Sequence, residues 1–194
     1  MARRRKKQNP STGMKFAIAA AVGLGVFLFA RKAFGAQSIP SNDYPDGGTY
    51  QPSSPEQIKL FEEAAAYAGL PTEWASHKGL HKILNAESGG KVGVPNFMWK
   101  EWTDKQGLPW DRSSWPEIWN VIRAGDAKPS KTGIKSHAAG LGQLQPSAMK
   151  KYQPSGIKGI GNPFEEAVGM LRYIKDRYGT IDKAWAFWQD HNWY

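Results

Sequence analysis

Leu80-His81-Lys82-Ile83-Leu84-Asn85-Ala86-Glu87-Ser88-Gly89-Gly90 reads as the apolar face of a helix that ends on a carboxylate. Leu80, Ile83, Leu84 and Glu87 fall at the i, i+3, i+4, i+7 spacing of one stripe, and Gly89-Gly90 is a stop signal. An acid on that stripe points toward the core or toward a cleft cut into it. Burial disfavours the charged form, so such a glutamic acid would keep its proton near neutral pH. That is the state in which a carboxyl acts as general acid in glycoside cleavage. The same spacing also fits a helix end at which Glu87 has simply reached water. The spacing alone leaves both readings open.

The 194 residues allow one domain of ordinary size plus appendages. A net charge of +9 suggests nucleic acid until the charges are located. Eight of the 26 basic residues, and no acid, lie in residues 1–42, so the remainder carries 18 basic against 17 acidic side chains. The main body is nearly neutral and lacks the basic footprint of a duplex binder, so no nucleic-acid partner is expected. The chain has no cysteine, which excludes disulfides, thiol catalysis and a lipidated cysteine anchor. Nine tryptophans supply apolar area for a core that must hold without disulfides.

The N-terminal charges frame a hydrophobic run. Residues 1–13 form a basic tail, Phe16 to Ala30 is unbroken apolar and small sequence, and Arg31-Lys32 follows. Fifteen helical residues span about 22 Å, short of the roughly 30 Å hydrocarbon core. A helix over 14–36 reaches the needed length if Lys15, Arg31 and Lys32 snorkel. The positive-inside bias then keeps the N-terminus cytoplasmic and exports the remainder, giving a single-pass membrane protein. Ala33-Phe34-Gly35 also resembles a signal-peptide cleavage site, although the two intervening basic residues favour a retained anchor. Residues 37–53, rich in Pro, Gly, Ser and Asn, read as a flexible linker.

The folded domain is expected over 54–194 and to be mostly α-helical. Ser54-Pro55-Glu56-Gln57 and Asn162-Pro163-Phe164-Glu165 combine an N-cap, a proline at N1 and an acid or amide at N3. Gly69, Gly125 and Gly179 are helix stops, and Thr180 caps a last helix. Residues 94–136 are the least regular section and carry five of the nine tryptophans. Within it Trp115, Ile118, Trp119 and Ile122 share a helical face and read as core. Trp99, Trp102 and Trp110 sit in irregular sequence and are candidates for stacking on sugar rings. His77, His81, His137 and His191 show no metal-ligand spacing, so neither metal nor cofactor is expected.

Three blocks then stand in a telling order. Glu87-Ser88-Gly89, Gly140-Leu141-Gly142-Gln143 and Ala184-Trp185-Ala186-Phe187-Trp188-Gln189 resemble the conserved blocks of soluble lytic transglycosylases, relatives of the goose-type lysozymes. The resemblance spans roughly residues 55–194, with a gap at the 94–136 insertion. The stretch from Gly169 to Tyr194 looks especially like transglycosylase-like domains of phage and Gram-positive secreted proteins. It implies an α+β lysozyme-like domain that cleaves the MurNAc–GlcNAc β-1,4 bond of peptidoglycan. By position it makes Glu87 the single acid/base, which protonates the glycosidic oxygen and then takes the C6 hydroxyl proton as a 1,6-anhydro ring closes. It makes Ser88 a hydrogen-bonding neighbour of the scissile bond, and places Gly142 and Gln143 on the cleft wall. Tyr173 falls on the helix beside the catalytic one, and Trp188-Gln189 falls where many relatives have Tyr-Asn.

Two departures bear on mechanism. Indole donates through nitrogen and supplies no hydroxyl, which puts the role of that tyrosine in question at Trp188. The insertion carries Glu101, Asp104, Asp111, Glu117 and Asp126; one of these reaching the cleft could activate water and give a lysozyme-type hydrolysed end. The expected partners are peptidoglycan glycan strands and, through residues 14–36, a membrane of a bacterial envelope or a virion. The alternative from another class is a non-catalytic glycan-binding or structural module.

Overall fold

A computed structural model describes residues 44–192 and is mostly helical. The basic tail, the anchor over 14–36 and the first part of the linker lie outside the described residues. Among the described residues no helix is long and apolar enough to cross a membrane.

The helices run α1 (Pro55–Ala68), α2 (Lys78–Glu87), α3 (Trp99–Gln106), α4 (Trp115–Arg123), α5 (Pro129–Thr132), α6 (Pro146–Tyr152), α7 (Pro163–Tyr178) and α8 (Ile181–His191). Short 3₁₀ segments precede α2, α4 and α7. The caps act as the sequence suggests. Ser54, Asn162 and Thr180 accept from the backbone N–H three residues on, and Gly69 closes α1 in the left-handed conformation. Each such N-cap is worth about 1 kcal/mol. A 3₁₀ turn over Thr72–Ser76 leads into α2 and gives way at His77, whose ring nitrogen caps α2 by accepting from Gly79 N.

Two cores form. The first gathers Leu60, Phe61, Leu80, Ile83, Leu84, Leu141, Phe164, Val168, Leu171 and Ile174, chiefly from α1, α2 and α7. The second gathers Trp99, Trp115, Ile118, Trp119, Ile122, Leu144, Met149 and Ile160, so the insertion builds its own apolar centre. Tyr173 on α7 packs against both. Trp115 and Trp119 are core, as their spacing indicated.

One expectation needs correction. The linker does not extend to 53. Tyr44 is buried, stacks on Phe164 and donates to Glu63 at 2.6 Å. Gly47 N donates to Gly161 O and Tyr50 N to Gly90 O, both at 2.8 Å. Residues 44–53 are therefore a strap across the domain, because their few aromatic and backbone groups find partners despite the loop-like composition. The β part of the expected α+β fold amounts, among the described residues, to isolated bridges: Thr49 with Lys91, Pro95 with Ala139, and Ala139 with Leu144.

Candidate active site

Glu87 is the last residue of α2. The apolar face behind it is fully buried at Leu80, Ile83 and Leu84, while Glu87 itself is half-buried. The helix therefore drives its stripe into the core and brings the carboxyl out at the core's edge. Trp188 of α8 meets it there: its indole Nε1 donates to Glu87 Oε1 at 2.8 Å. Burial pushes the Glu87 pKa up, and the Trp188 bond, which favours the charged form, pulls against that shift. No neighbouring carboxylate contributes to it. Among the described residues, Trp188 is the hydrogen-bond partner of this carboxyl, which leaves Oε2 as the oxygen to carry the proton.

The wall around Glu87 is aromatic. Trp185 and Trp188 stack with ring centroids 5.3 Å apart and planes 11° from parallel. The Lys82 ammonium, from α2, lies 5.1 Å over the Trp185 ring, a cation–π contact that ties α8 to α2. At the end of α7 Tyr178 senses the Glu87 charge; burial, with smaller contributions from Tyr173 and Glu87, pushes its hydroxyl up to about 12 against the lowering effect of Arg177. Tyr173 packs edge-on to Tyr178 at 6.4 Å and its hydroxyl accepts from Arg177.

The Gly140–Gln143 block is a tight loop held by backbone bonds: Gly140 N to Val94 O at 2.9 Å and Gln143 N to Gly140 O at 3.1 Å. Gly140 has φ +81°, and a Cβ there would stand 2.6 Å from the Glu166 Cδ, so only glycine fits. Gln143 has φ +43°. Its side-chain amide turns inward, donating to Val94 O at 2.8 Å and Gly140 O at 3.2 Å. Gln143 thus braces the loop rather than presenting its amide, and Gly142 is buried in the same turn. Ser88 is similarly engaged: its hydroxyl donates to Leu84 O and accepts from Gly90 N, closing the end of α2.

Of the predicted site residues, the structure thus joins Glu87 directly to Trp188 and, through Tyr178, to Tyr173. Gln189 is exposed on α8. The two insertion tryptophans do not join them. Trp99 has 0% of its surface exposed and packs against Trp102 and His137, so it offers no face to a sugar and belongs to the core. Its burial comes from packing into the second core beside His137, a placement that the polar sequence of α3 does not advertise. Trp102 is half-buried and lines a shallow depression with Leu108, Glu117, Asn120 and Val121, which shares no residue with the surroundings of Glu87. Among the described residues the exposed large apolar side chain is Phe97, at 73%, beside Asn96, whose amide reaches Gln143 at 3.5 Å.

The insertion's carboxylates are occupied or outward. Glu101 pairs with Lys105, Asp104 with Lys100 and Asp126 with Lys131. Asp111 caps the turn at Ser113, and Glu117 is exposed on the rim of the Trp102 depression. Among the described residues no group of three or more His, Cys, Asp or Glu side chains could hold a metal. No family model, no curated protein and no solved structure matches this chain.

Proposed function

We propose that this domain is a peptidoglycan lytic transglycosylase of lysozyme-like fold, with Glu87 as its lone acid/base. The observation that carries the reading is the environment of Glu87. It is a half-buried carboxyl with a raised pKa, one oxygen held by the Trp188 N–H and the other left for a proton. Protonated Oε2 would deliver the proton to the glycosidic oxygen linking MurNAc to GlcNAc, and the resulting carboxylate would then remove the C6 hydroxyl proton as the anhydro ring closes. A second carboxylate is what an ordinary glycosidase needs at about 5–9 Å. The surface pairing of Glu101, Asp104 and Asp126 supports a mechanism without one. The order of the Glu87, Gly140–Gln143 and Trp185–Gln189 blocks supports the same substrate class.

In this reading the indole at 188 takes over the task of fixing the acid. It lacks a hydroxyl, yet its N–H holds one carboxylate oxygen and so selects the other for proton transfer. Residues 14–36 would serve as a retained membrane anchor that keeps the domain on the exported side, near the wall. The test is Glu87→Gln, which keeps the shape and the contact with Trp188. It should lower peptidoglycan cleavage by ~10³-fold or more, the upper part of the range for a general acid, while the thermal midpoint moves little. Cleavage at the wild-type rate by the folded variant would overturn the assignment.

A further inference from the structure

α7 opens with two consecutive acids that are both buried and face different parts of the molecule. Glu165 is held by a single residue, Ser155, through its backbone N at 2.7 Å and its hydroxyl at 2.8 Å. Glu166 instead accepts backbone N–H groups from three separate segments. Gly161 N donates at 2.7 Å, Leu141 N at 2.9 Å, and Gly93 N reaches both carboxylate oxygens at 3.1 Å. Those donors belong to the turn before α7, the Gly140–Gln143 loop, and the turn six residues beyond Glu87.

Trp119 of the insertion closes the cluster. Its ring fills the space that a Cβ at Gly93 or Gly161 would need, and its Nε1 donates to Gly93 O at 2.8 Å. Among the described residues the charge acting on Glu166 is that of Asp46, a like charge, with no cation beside it. Arg123 lies over the Trp119 ring and donates to Ile160 O.

A buried carboxylate is a poor device for stability alone, since apolar side chains of similar volume often serve as well or better. What it offers is direction: two oxygens with about four acceptor positions can fix several backbones at once. Glu166, Gly169 and Tyr173 also lie on one stripe of α7. A Cβ at Gly169 would meet Leu144, just beyond Gln143, and Tyr173 packs on the Tyr178 that senses Glu87. The same helix face thus runs from the Gly140–Gln143 loop to the neighbourhood of the acid.

We propose that Glu166 is a positioning residue: through Gly93, Leu141 and Gly161 it sets where the Gly140–Gln143 loop stands relative to the helix that carries Glu87. The catalytic half of this proposal rests on the reading of Glu87 as the acid; the clamp itself does not. An amide at 166 keeps the volume but turns an NH₂ toward backbone N–H donors, so the clamp loosens without a large cavity. Misplacing a cleft wall by an ångström or so can cost ~10²-fold in turnover.

The experiment uses the full chain and compares Glu166→Gln with Glu165→Gln, its neighbour on the same helix. In Glu166→Gln, hydrogen exchange at the Gly93, Leu141 and Gly161 amides should accelerate together, by ~10-fold, the size expected for one lost charge-assisted bond. The Leu84 amide in α2 should keep its protection. At matched folded fraction kcat on peptidoglycan should fall ~10-fold or more with KM little changed, whereas Glu165→Gln keeps wild-type kcat. Unchanged exchange at the three amides, or equal loss of kcat in both variants, would overturn the proposal. If Glu166→Gln does not fold, the wild-type protein decides: the three amide shifts must follow one common titration with the Glu166 carboxyl, and independent behaviour contradicts the clamp. A wild-type chain that cleaves no glycan would count against the function proposed for Glu87, while the exchange measurement would still judge the clamp.

Discussion

Glu87 and Glu166 are two carboxyls raised by burial, and the difference between them lies in their partners. Glu87 stands at the edge of the first core with one indole N–H on one oxygen. Glu166 is sealed inside, with backbone N–H groups from three segments on its two oxygens. A carboxyl with an unclaimed oxygen can exchange its proton with a substrate; one enclosed by donors holds backbone in place. The comparison shows why burial alone does not mark a catalytic acid. Burial pushes both pKa values up, to about 7 at Glu166, and access decides which of the two can do chemistry.

Gly140→Ala is the heaviest perturbation, because it drives a methyl into the Glu166 carboxylate at a positive φ without touching Glu87. Overpacking and backbone strain together should cost about 3 kcal/mol in a denaturant titration; a loss below 1 kcal/mol would mean that the clamp yields easily.

The pH dependence of stability comes next. Glu166 binds its proton more tightly when folded than unfolded, so between pH 4.5 and about 7 the folded state holds more protons. Stability should therefore fall as pH rises through that window, by on the order of 3 kcal/mol. Most of the fall should be lost in Glu166→Gln, with Glu87, also raised by burial, contributing the remainder. The stability gained on the acid side thus comes with a protonated oxygen placed against an N–H donor, so fold stability and clamp geometry respond oppositely to pH. A stability curve rising over the same window would contradict the raised pKa.

Trp188→Phe sharpens the other side. Removing the N–H that favours the charged form lets the Glu87 pKa rise further. General-acid activity is lost as pH rises through that pKa, so the alkaline limb of the rate profile should move to higher pH. Loss of the orienting bond should lower kcat by ~10-fold, in keeping with about 1.5 kcal/mol, the low end for a bond to a charged group. A limb that stays in place or moves down would show that the indole does not act on Glu87. The smallest effect belongs to Phe97→Ala, which should change stability by less than about 0.5 kcal/mol in the same denaturant titration, as at other exposed positions.

Much of the helical framework, in both cores, was legible in the sequence. The stripe from Leu80 to Glu87, the caps at Ser54, Asn162 and Thr180, and the Trp115–Ile122 face all rest on local periodicity or capping chemistry, which sequence displays directly. What escaped depends on tertiary contact. Tyr44 to Ser53 has turn composition, and nothing local shows that Tyr44 stacks on Phe164. The α3 sequence Trp99-Lys100-Glu101-Trp102-Thr103-Asp104-Lys105-Gln106 has too few apolar positions to announce that Trp99 is wholly buried. Glu166 was hidden by its neighbour, since an acid in a helix's first turn is ordinarily explained by the helix dipole. The available signal was the run Ala167-Val168-Gly169-Met170-Leu171, apolar on every side, which makes any polar residue joined to it a buried one. At Trp188 the sequence shows that no hydroxyl is present, and the tertiary contact shows that the indole N–H is the group that reaches Glu87.

In the proposed mechanism Glu87, acting alone, transfers both protons of a glycan cleavage. Mass spectrometry of peptidoglycan digested by the wild-type protein and by Glu87→Gln tests it most directly. The wild-type digest should contain 1,6-anhydro-muramyl ends that are absent from the variant's. Reducing muramyl ends would mean that water and a second base complete the reaction, and a digest without new ends would mean that the domain does not cleave glycan at all.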